Sequence, residues 1–299
     1  MTDRPEASRE DISARYDAWL ARQPLAANTR RTYRTKVRAY LEFLGAVQHT
    51  NGDPLNDEHA RDYAVRDFKT QLKTAQQAKP STVNLALAAI DHFYRFLGMG
   101  TPSVRRENLP QAAPASLPRE GQISFLRAVE RCTSRRDRAI ASLLYHTGIR
   151  IGECAALNTD DVLVSARKGQ VVVRSGKGDS YREIPLNAEV RKALQAWLDE
   201  RIRAEPDSKE RALFLQRRGT RLSTRTMHNV VCRLGREAGL DISAHTLRHT
   251  CLTSLVRNGN DLVLVAELAG HRRIETTRRY SLPSAHDRHL AMEGLLIEY

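Results

Sequence analysis

Six side chains in the second half of the chain have the chemical types needed to act together on a phosphate ester. They lie in four short segments, HTGIRIGE (146–153), SGKGDSYREIPL (175–186), SAHTLRHT (243–250) and AGHRRIETTRRYS (269–281). Cations can offset the negative charge of a phosphate, histidines can exchange protons, and a tyrosine hydroxyl can serve as a nucleophile. The candidates are Arg150, Lys177, His245, Arg248, His271 and Tyr280.

The two arginines predict a site that works without a metal ion. Attack on a phosphodiester builds further negative charge on phosphorus, and nucleases often offset that charge with metal ions. No cluster of carboxylates with metal-ligand character accompanies the four segments. Arg150 and Arg248 would instead donate to the non-bridging oxygens, where the loss of one such donor typically costs on the order of 10²–10³ in rate. We therefore expect neither a metal ion nor another cofactor.

Each segment taken alone also has an ordinary interpretation. An arginine after a turn, such as Arg150, is usually a surface residue, and a glycine-flanked lysine such as Lys177 is usually a solvated hairpin tip. His245 and His249 stand four residues apart, as in zinc-binding helices, but Thr246 stands where the metalloprotease glutamate would be. The GKG string lacks the earlier glycine and the following Ser or Thr of a nucleotide-binding loop.

Taken together and in this order, the six candidates resemble the catalytic signature of the tyrosine recombinases. This family contains the phage integrases and the Xer/Cre-like site-specific recombinases. The strings HTLRH (245–249) and GHRRIETTRRY (270–280) are similar to its two best motifs. The resemblance covers nearly the whole chain and departs from the family pattern at no catalytic position.

The resemblance implies a role for each candidate. Tyr280 would be the nucleophile, with His245 as its base. His271 would donate a hydrogen bond to the phosphate, and Lys177 would protonate the departing 5′-oxygen. The product would be a 3′-phosphotyrosyl ester, which keeps the energy of the broken bond, so that rejoining needs no ATP.

The resemblance also implies the partners. The chain would act on double-stranded DNA recombination sites as a homotetramer and exchange strands through a four-way junction, alone or with a second recombinase or accessory protein. We expect no membrane and no small-molecule substrate. Two alternatives stay open. A type IB topoisomerase-like enzyme would relax DNA that lacks any special site, and a non-catalytic DNA-binding regulator with the same fold would tolerate the loss of Tyr280.

Other residues near the candidates receive weaker interpretations. Glu153 follows Arg150 by three residues and would either orient an arginine or histidine or be a surface carboxylate. His249 would pack or hydrogen-bond behind the catalytic residues, and Thr276 with Thr277 would start the helix that leads to Tyr280. The tail 284–299 predicts a short amphipathic helix, which would dock on a neighbouring protomer, as is common in this family, or pack within its own chain.

The elements that must position these residues predict a mainly α fold with a small β-sheet. Apolar periodicity indicates helices over 10–23, 29–45, 57–75 and 81–97, with Asn28 and Ser81 as caps. In the second half it indicates helices over 119–132, 135–147, 187–203, 223–238, 246–258, 261–269, 274–281 and 284–296, with a β-rich stretch over 160–186.

Composition divides the chain in two. A stretch with four prolines, 101–120, predicts a linker. We expect a helical DNA-binding domain over 1–105, a linker over 106–118 and a mixed α/β catalytic domain over 119–299. The resemblance implies that the first is a SAM-like core-binding domain and the second the tyrosine-recombinase catalytic domain.

The charge balance favours a nucleic-acid partner. The 299 residues include 48 Lys and Arg against 35 Asp and Glu, a formal net charge of +13, although a soluble protein with a basic surface would show the same excess. No stretch of 18 apolar residues occurs, as a membrane helix would need. The start, MTDRPEASRED, lacks the basic and apolar regions of a secretory signal, so we expect a cytoplasmic protein.

Overall fold

The computed structural model describes residues 8–47, 51–109, 114–174, 181–204, 210–282 and 292. The chain divides into two compact units, Met1–Pro110 and Gln111–Tyr299. In its described residues the chain is mostly helical with one three-stranded sheet, which confirms the predicted fold class. No helix in this part of the chain is long and apolar enough to cross a membrane.

The described residues of the first unit form a helical bundle around an aromatic core. Its helices are α1 (Arg9–Ala21), α2 (Ala27–Ala46), α3 (Glu58–Thr74) and α4 (Pro80–Phe96). Tyr40 and Tyr94 are fully buried, and their hydroxyls hydrogen-bond to each other at 2.7 Å, so neither polar group is left unpaired in the core. The four predicted helices are confirmed to within a few residues.

The two predicted caps in this unit are wrong. Helix α4 begins with Pro80, because proline has no N–H to leave unpaired and its fixed φ suits the first helical position. Ser81 therefore lies inside the helix. Helix α2 starts after Ala26, and Asn28, inside its first turn, accepts a hydrogen bond from Arg31 instead.

The two described ends of the predicted linker 106–118 are each tied to their own unit. At the first end, Asn84 of α4 donates to the carbonyl of Glu107 at 2.8 Å, and the amide of Glu107 donates back at 2.7 Å. At the second end, Leu117 packs into the core of the second unit, and its amide donates to the Thr250 hydroxyl at 2.9 Å.

The described part of the second unit combines helices with one small sheet. The elements are α5 (Arg119–Arg131), α6 (Arg135–Thr147), α7 (Ile151–Ala156), β1 (Val162–Val164), β2 (Gly169–Val173), β3 (Arg182–Pro185), α8 (Ala188–Ala204), α9 (Thr224–Glu237), α10 (Ala244–Arg257), α11 (Leu262–Ala269) and α12 (Ile274–Arg278).

The sheet is antiparallel in the order β1-β2-β3. Val171 on the central strand pairs with Val162 on one side and with Ile184 on the other, and all three side chains are buried. The predicted helix 274–281 is shorter than expected, because α12 ends at Arg278 and Tyr280 follows it. The predicted tail helix lies outside the described residues except for Met292.

Gly235 sets how closely α9 approaches the turn before α10. A Cβ at this position would lie 2.5 Å from a side-chain carbon of Ile242 and 3.1 Å from the carbonyl oxygen of Leu240. Real Cβ atoms do not come so close to other atoms. The glycine therefore allows residues 240–242 to pack directly against α9 just before α10 begins at Ala244.

We predict that Gly235→Ala destabilises the protein by about 1–3 kcal/mol, because overpacking outweighs the gain in helix propensity. The matched control is Gly152→Ala in α7, where an added Cβ meets open space. This control should be neutral or stabilising by up to about 1 kcal/mol. Urea unfolding of both variants measures the difference. Equal stability of the two variants would contradict the packing argument.

Candidate active site

Two left-handed glycines end helices at the edge of the site. Gly148 has φ +61° and closes α6, so that Arg150 stands immediately before α7. Gly270 has φ +63° and closes α11, so that His271 follows at once. Glycine adopts this conformation without the strain that a Cβ would add. Each turn therefore delivers one candidate side chain at a helix end.

Arg248 ties these two helix ends together. Its guanidinium donates to the carbonyl of Gly148, and to the carbonyl of Ala269 at 2.7 Å. The same group lies 2.9 Å from Nε2 of His271. Burial, and next the charge of Arg150, lower the pKa of Arg248 to about 10, so it is still a cation at neutral pH.

Arg150 is held in place by a carboxylate and a carbonyl. Its Nη1 donates to Oε1 of Glu153 at 3.0 Å, and its Nη2 donates to the carbonyl of Gly270 at 3.0 Å. Its backbone amide donates to Oε2 of Glu153 at 3.0 Å. Glu153 is buried, so the alternative of a surface carboxylate is wrong.

Arg182, which the sequence analysis did not single out, completes the contacts of Glu153. It donates to Oε1 and Oε2 at 3.2 and 2.6 Å, and its Nε donates to the carbonyl of Leu268 at 3.0 Å. Burial raises the pKa of the Glu153 carboxyl, but Arg182 and Arg150 outweigh it, and the pKa lies below its usual range. The sequence did offer one signal that Arg182 is buried. In a strand every second side chain points to the same face, and Arg182 lies two positions before the apolar Ile184 on the buried face of β3.

Tyr280 is docked in an apolar recess with its hydroxyl facing a histidine. The residue is 6% exposed, and its ring packs with Leu252, Val265 and Ala269. The hydroxyl lies 2.9 Å from Nδ1 of His249. Burial raises the pKa of Tyr280, while nearby arginines, Arg248 first among them, oppose that rise.

The histidine that hydrogen-bonds to the Tyr280 hydroxyl is His249 rather than the predicted His245. The ring of His245 lies edge-on to the ring of His249, with centroids 4.1 Å apart. Burial, followed by the charge of His245, lowers the pKa of His249 to about 4. At neutral pH the His249 ring is therefore uncharged, and its Nδ1 can accept the phenolic proton in a hydrogen bond. The two histidines are one helical turn apart on the same face of α10, so the sequence alone could not tell which of them meets the Tyr280 hydroxyl.

His271 is positioned by Arg248 on one side and by Thr277 on the other. Because arginine only donates, Nε2 of His271 accepts from it, and Nδ1 then carries the proton that points to the Thr277 hydroxyl at 2.8 Å. Thr277 is fully buried inside α12, which begins after Arg273. The prediction that Thr277 starts this helix is wrong. Thr277 instead hydrogen-bonds to the catalytic candidate His271.

The structure brings five of the six candidates into one connected set, namely Arg150, His245, Arg248, His271 and Tyr280. Lys177 lies outside the described residues. Within the part of the chain that the structure describes, no group of three or more His, Cys, Asp or Glu is placed to hold a metal ion. The set offers two guanidinium groups, one phenol and two histidines, His245 and His271, whose pKa values burial lowers. Such a set can bind an anionic ester and present a nucleophile to it.

Comparison with known proteins shows similarity along the whole chain. Residues 119–286 match the phage integrase family, and residues 14–99 match the phage integrase N-terminal SAM-like domain. A tyrosine recombinase XerA from Thermococcus kodakarensis is 31% identical, over 91% of this chain and 90% of that protein. A tyrosine recombinase XerD from Corynebacterium glutamicum is 32% identical, over 86% of this chain and 88% of that protein.

Solved structures show the same similarity. The crystal structure of a XerA recombinase aligns with a TM-score of 0.54 at 26% identity, over 97% of this chain and all of that one. A XerH site-specific recombinase bound to a palindromic difH substrate, in a post-cleavage complex, aligns with a TM-score of 0.73 at 21% identity. That alignment covers 94% of this chain and 83% of XerH. At this identity it shows a shared fold.

The low pKa values of His249 and His271 predict that acid destabilises the fold. Both lie at about 4, against about 6.5 in an unfolded chain. Between these values the unfolded state binds protons that the folded state does not, so stability falls as the pH drops from 6.5 to 4. We expect His249→Asn, which keeps an acceptor near Tyr280, to lower the number of protons taken up on unfolding by up to about one. The unfolding free energy should then depend less steeply on pH.

Thermal or urea unfolding across pH 4–7.5 measures the slope. The control is His59→Asn, since His59 is exposed in α3 of the first unit. It should leave the slope unchanged. An unaltered slope in His249→Asn would contradict the assignment of a depressed pKa to this histidine.

Proposed function

Because the chain belongs to the phage integrase family of tyrosine recombinases, we propose that it is a site-specific DNA recombinase that forms a 3′-phosphotyrosyl intermediate. The observation that carries the proposal is the hydrogen-bonded network that joins Arg150, Arg248 and His271 and lies against the Tyr280 ring. Relatives of the same fold are described as bound to DNA, among them XerH with its difH substrate and lambda integrase with a COC′ core site. Double-stranded DNA is therefore the proposed substrate.

The arginines supply the binding site for the scissile phosphate. In the free protein their donors are bonded largely to the carbonyls of Gly148, Ala269 and Gly270. A phosphate oxygen is a stronger acceptor for a guanidinium than a neutral carbonyl, because both partners are charged. Arg150 has 35% of its side chain exposed, so an incoming phosphate can reach it. Both arginines would stabilise the charge that develops on phosphorus.

Tyr280 supplies the nucleophile and the histidine pair takes its proton. The phenol is held protonated against uncharged His249, with His245 one ring further away. When a phosphate is bound, attack by the phenolic oxygen forms the Tyr–O–P bond and releases the 5′-oxygen of the DNA. His245 stays the proposed base of the DNA-bound state, and His249 is the contact of the free state. His271 can donate from Nε2 to the phosphate only after its present Nδ1–H tautomer changes.

Lys177 is the proposed general acid for the departing 5′-oxygen. It belongs to the segment between β2 and β3, and the register pairs Val173 with Arg182 at the end of this hairpin. Protonation of the leaving oxygen makes departure easier in cleavage, and the reverse step lets the 5′-hydroxyl attack the phosphotyrosyl ester. Rejoining therefore needs no ATP. No metal ion is proposed, because the arginines carry the charge stabilisation.

The proposed assembly is a homotetramer that holds two duplexes and exchanges strands through a four-way junction, alone or with a second recombinase or accessory protein. The excess positive charge of the chain would contact the DNA backbone, so binding should weaken steeply with salt. The family resemblance, rather than a contact within this chain, supports the tetramer.

We predict that Tyr280→Phe abolishes the covalent protein–DNA adduct while DNA binding persists, because only the attacking oxygen is lost. The assay incubates the protein with fragmented DNA from its source organism in EDTA without ATP. Adducts that survive denaturation are then recovered and their attachment points sequenced. The control is Tyr181→Phe, an exposed tyrosine on the neighbouring hairpin, which should form adducts normally. An adduct that persists in Tyr280→Phe would remove Tyr280 from the nucleophile role.

We predict that Lys177→Ala slows cleavage of an ordinary mapped site by on the order of 10²–10⁴. A 5′-bridging phosphorothiolate should restore the rate, because a thiolate leaves without a proton. Lys168→Ala, at the exposed turn between β1 and β2, serves as control and should cleave both substrates normally. Equal slowing of Lys177→Ala on both substrates would rule out the general-acid role.

A further inference from the structure

We propose that Arg182 is a positioning residue that fixes Arg150 on the scissile phosphate, acting through the two groups that hold Arg150. The inference rests on the proposed function, because it concerns the geometry of that same phosphate site. Arg182 does not itself touch the substrate, since only 5% of its side chain is exposed. Its effect has to travel through its partners.

The first partner is Glu153, which receives four donors. Two come from Arg150, its backbone amide and Nη1, and two come from the forked guanidinium of Arg182. The shortest of the four, at 2.6 Å, comes from Arg182. Each oxygen of the carboxylate accepts one hydrogen bond from Arg150 and one from Arg182, so the orientation in which Glu153 holds Arg150 depends on Arg182.

The second partner is the turn that ends α11. Nε of Arg182 donates to the carbonyl of Leu268 at 3.0 Å, and a Cβ at Gly270 would lie 2.8 Å from Nη1 of Arg182. The turn therefore packs directly on the Arg182 guanidinium. The carbonyl of Gly270 in this turn is the other acceptor of Arg150. Glu153 and Gly270, the two residues that accept hydrogen bonds from the Arg150 side chain, thus both lie against Arg182.

The chemistry of arginine suits this task better than a structural one. Replacing a buried ion pair by apolar side chains of similar volume is often neutral or even stabilising, so fold stability alone does not demand the Arg182–Glu153 pair. A planar fork with several fixed donors sets direction, which a lysine point charge cannot do. Misplacing a catalytic group by about 1 Å can cost on the order of 10² in rate. A positioning role therefore predicts a large effect on cleavage.

The test compares two substrates, a duplex with the mapped attachment site and the same duplex with a methylphosphonate at the scissile position. The methyl group removes the charge and one non-bridging oxygen that the arginines would hold. We expect Arg182→Met to slow adduct formation on the phosphate by on the order of 10²-fold. On the methylphosphonate its deficit relative to the unaltered protein should be at least tenfold smaller. Arg150→Ala should show the same pattern.

Arg182→Lys is the second variant. Because it keeps the positive charge beside Glu153, it still tests the proposal if Arg182→Met does not fold. It should show the same substrate dependence, since the single nitrogen of lysine cannot replace the three nitrogens by which Arg182 bonds to Glu153 and to the carbonyl of Leu268. Glu153→Gln should behave likewise. The control is Arg201→Met in α8, another buried arginine, whose guanidinium donates to the carbonyl of Glu210. It should slow both substrates equally or not at all.

Several outcomes separate this inference from the proposed function. Normal cleavage by folded Arg182→Met or Arg182→Lys would overturn the positioning role, as would an equal deficit on both substrates, which marks a structural effect alone. The proposed function would fail differently, by the absence of any adduct that depends on Tyr280 in the unaltered protein. DNA binding by each variant, measured beside cleavage, confines the effect to the chemical step.

Discussion

The arrangement of the site depends on one buried carboxylate, that of Glu153. It lies among cations that would otherwise repel one another, and it accepts hydrogen bonds from both Arg150 and Arg182. A buried charge without partners is costly, and removing one member of a buried pair typically costs about 3–5 kcal/mol. Glu153 therefore fixes three parts of the chain at once, the start of α7, strand β3 and, through Arg182, the end of α11.

The single charge of Glu153 does not balance the three guanidinium groups near it, those of Arg150, Arg182 and Arg248. Arg248 is 3% exposed, and its donors are satisfied by carbonyls and by His271. The field of these arginines contributes, after burial, to holding the pKa of His271 at about 4. An anion placed between Arg150 and Arg248 would relieve this repulsion, and a phosphate of the DNA backbone has that charge. The free protein thus keeps the Tyr280 phenol docked and protonated close to Arg248 and Arg150.

Most elements could be predicted because local patterns decide them. Amphipathic periodicity located the helices of both units, and β-branched residues located the small sheet. The errors concern which group pairs with which. Asn28 and Ser81 were predicted as helix caps, but α2 begins directly after Ala26 and α4 begins at Pro80, so both residues lie inside their helices. Thr277 was assigned to a helix start, whereas it is buried against His271.

The sequence by itself predicted the chemistry, because six residues resemble in type and order the signature of a family that transfers phosphoryl groups through a tyrosine, namely Arg150, Lys177, His245, Arg248, His271 and Tyr280. Only the tertiary structure decided the contacts among them. His249 rather than His245 meets the Tyr280 hydroxyl, and Arg182 reaches Glu153 across 29 positions of chain. The physical reason is that hydrogen bonds and ion pairs depend on distances within about 3 Å. Such distances between residues far apart in the chain are set by packing and helix ends, which no local pattern encodes.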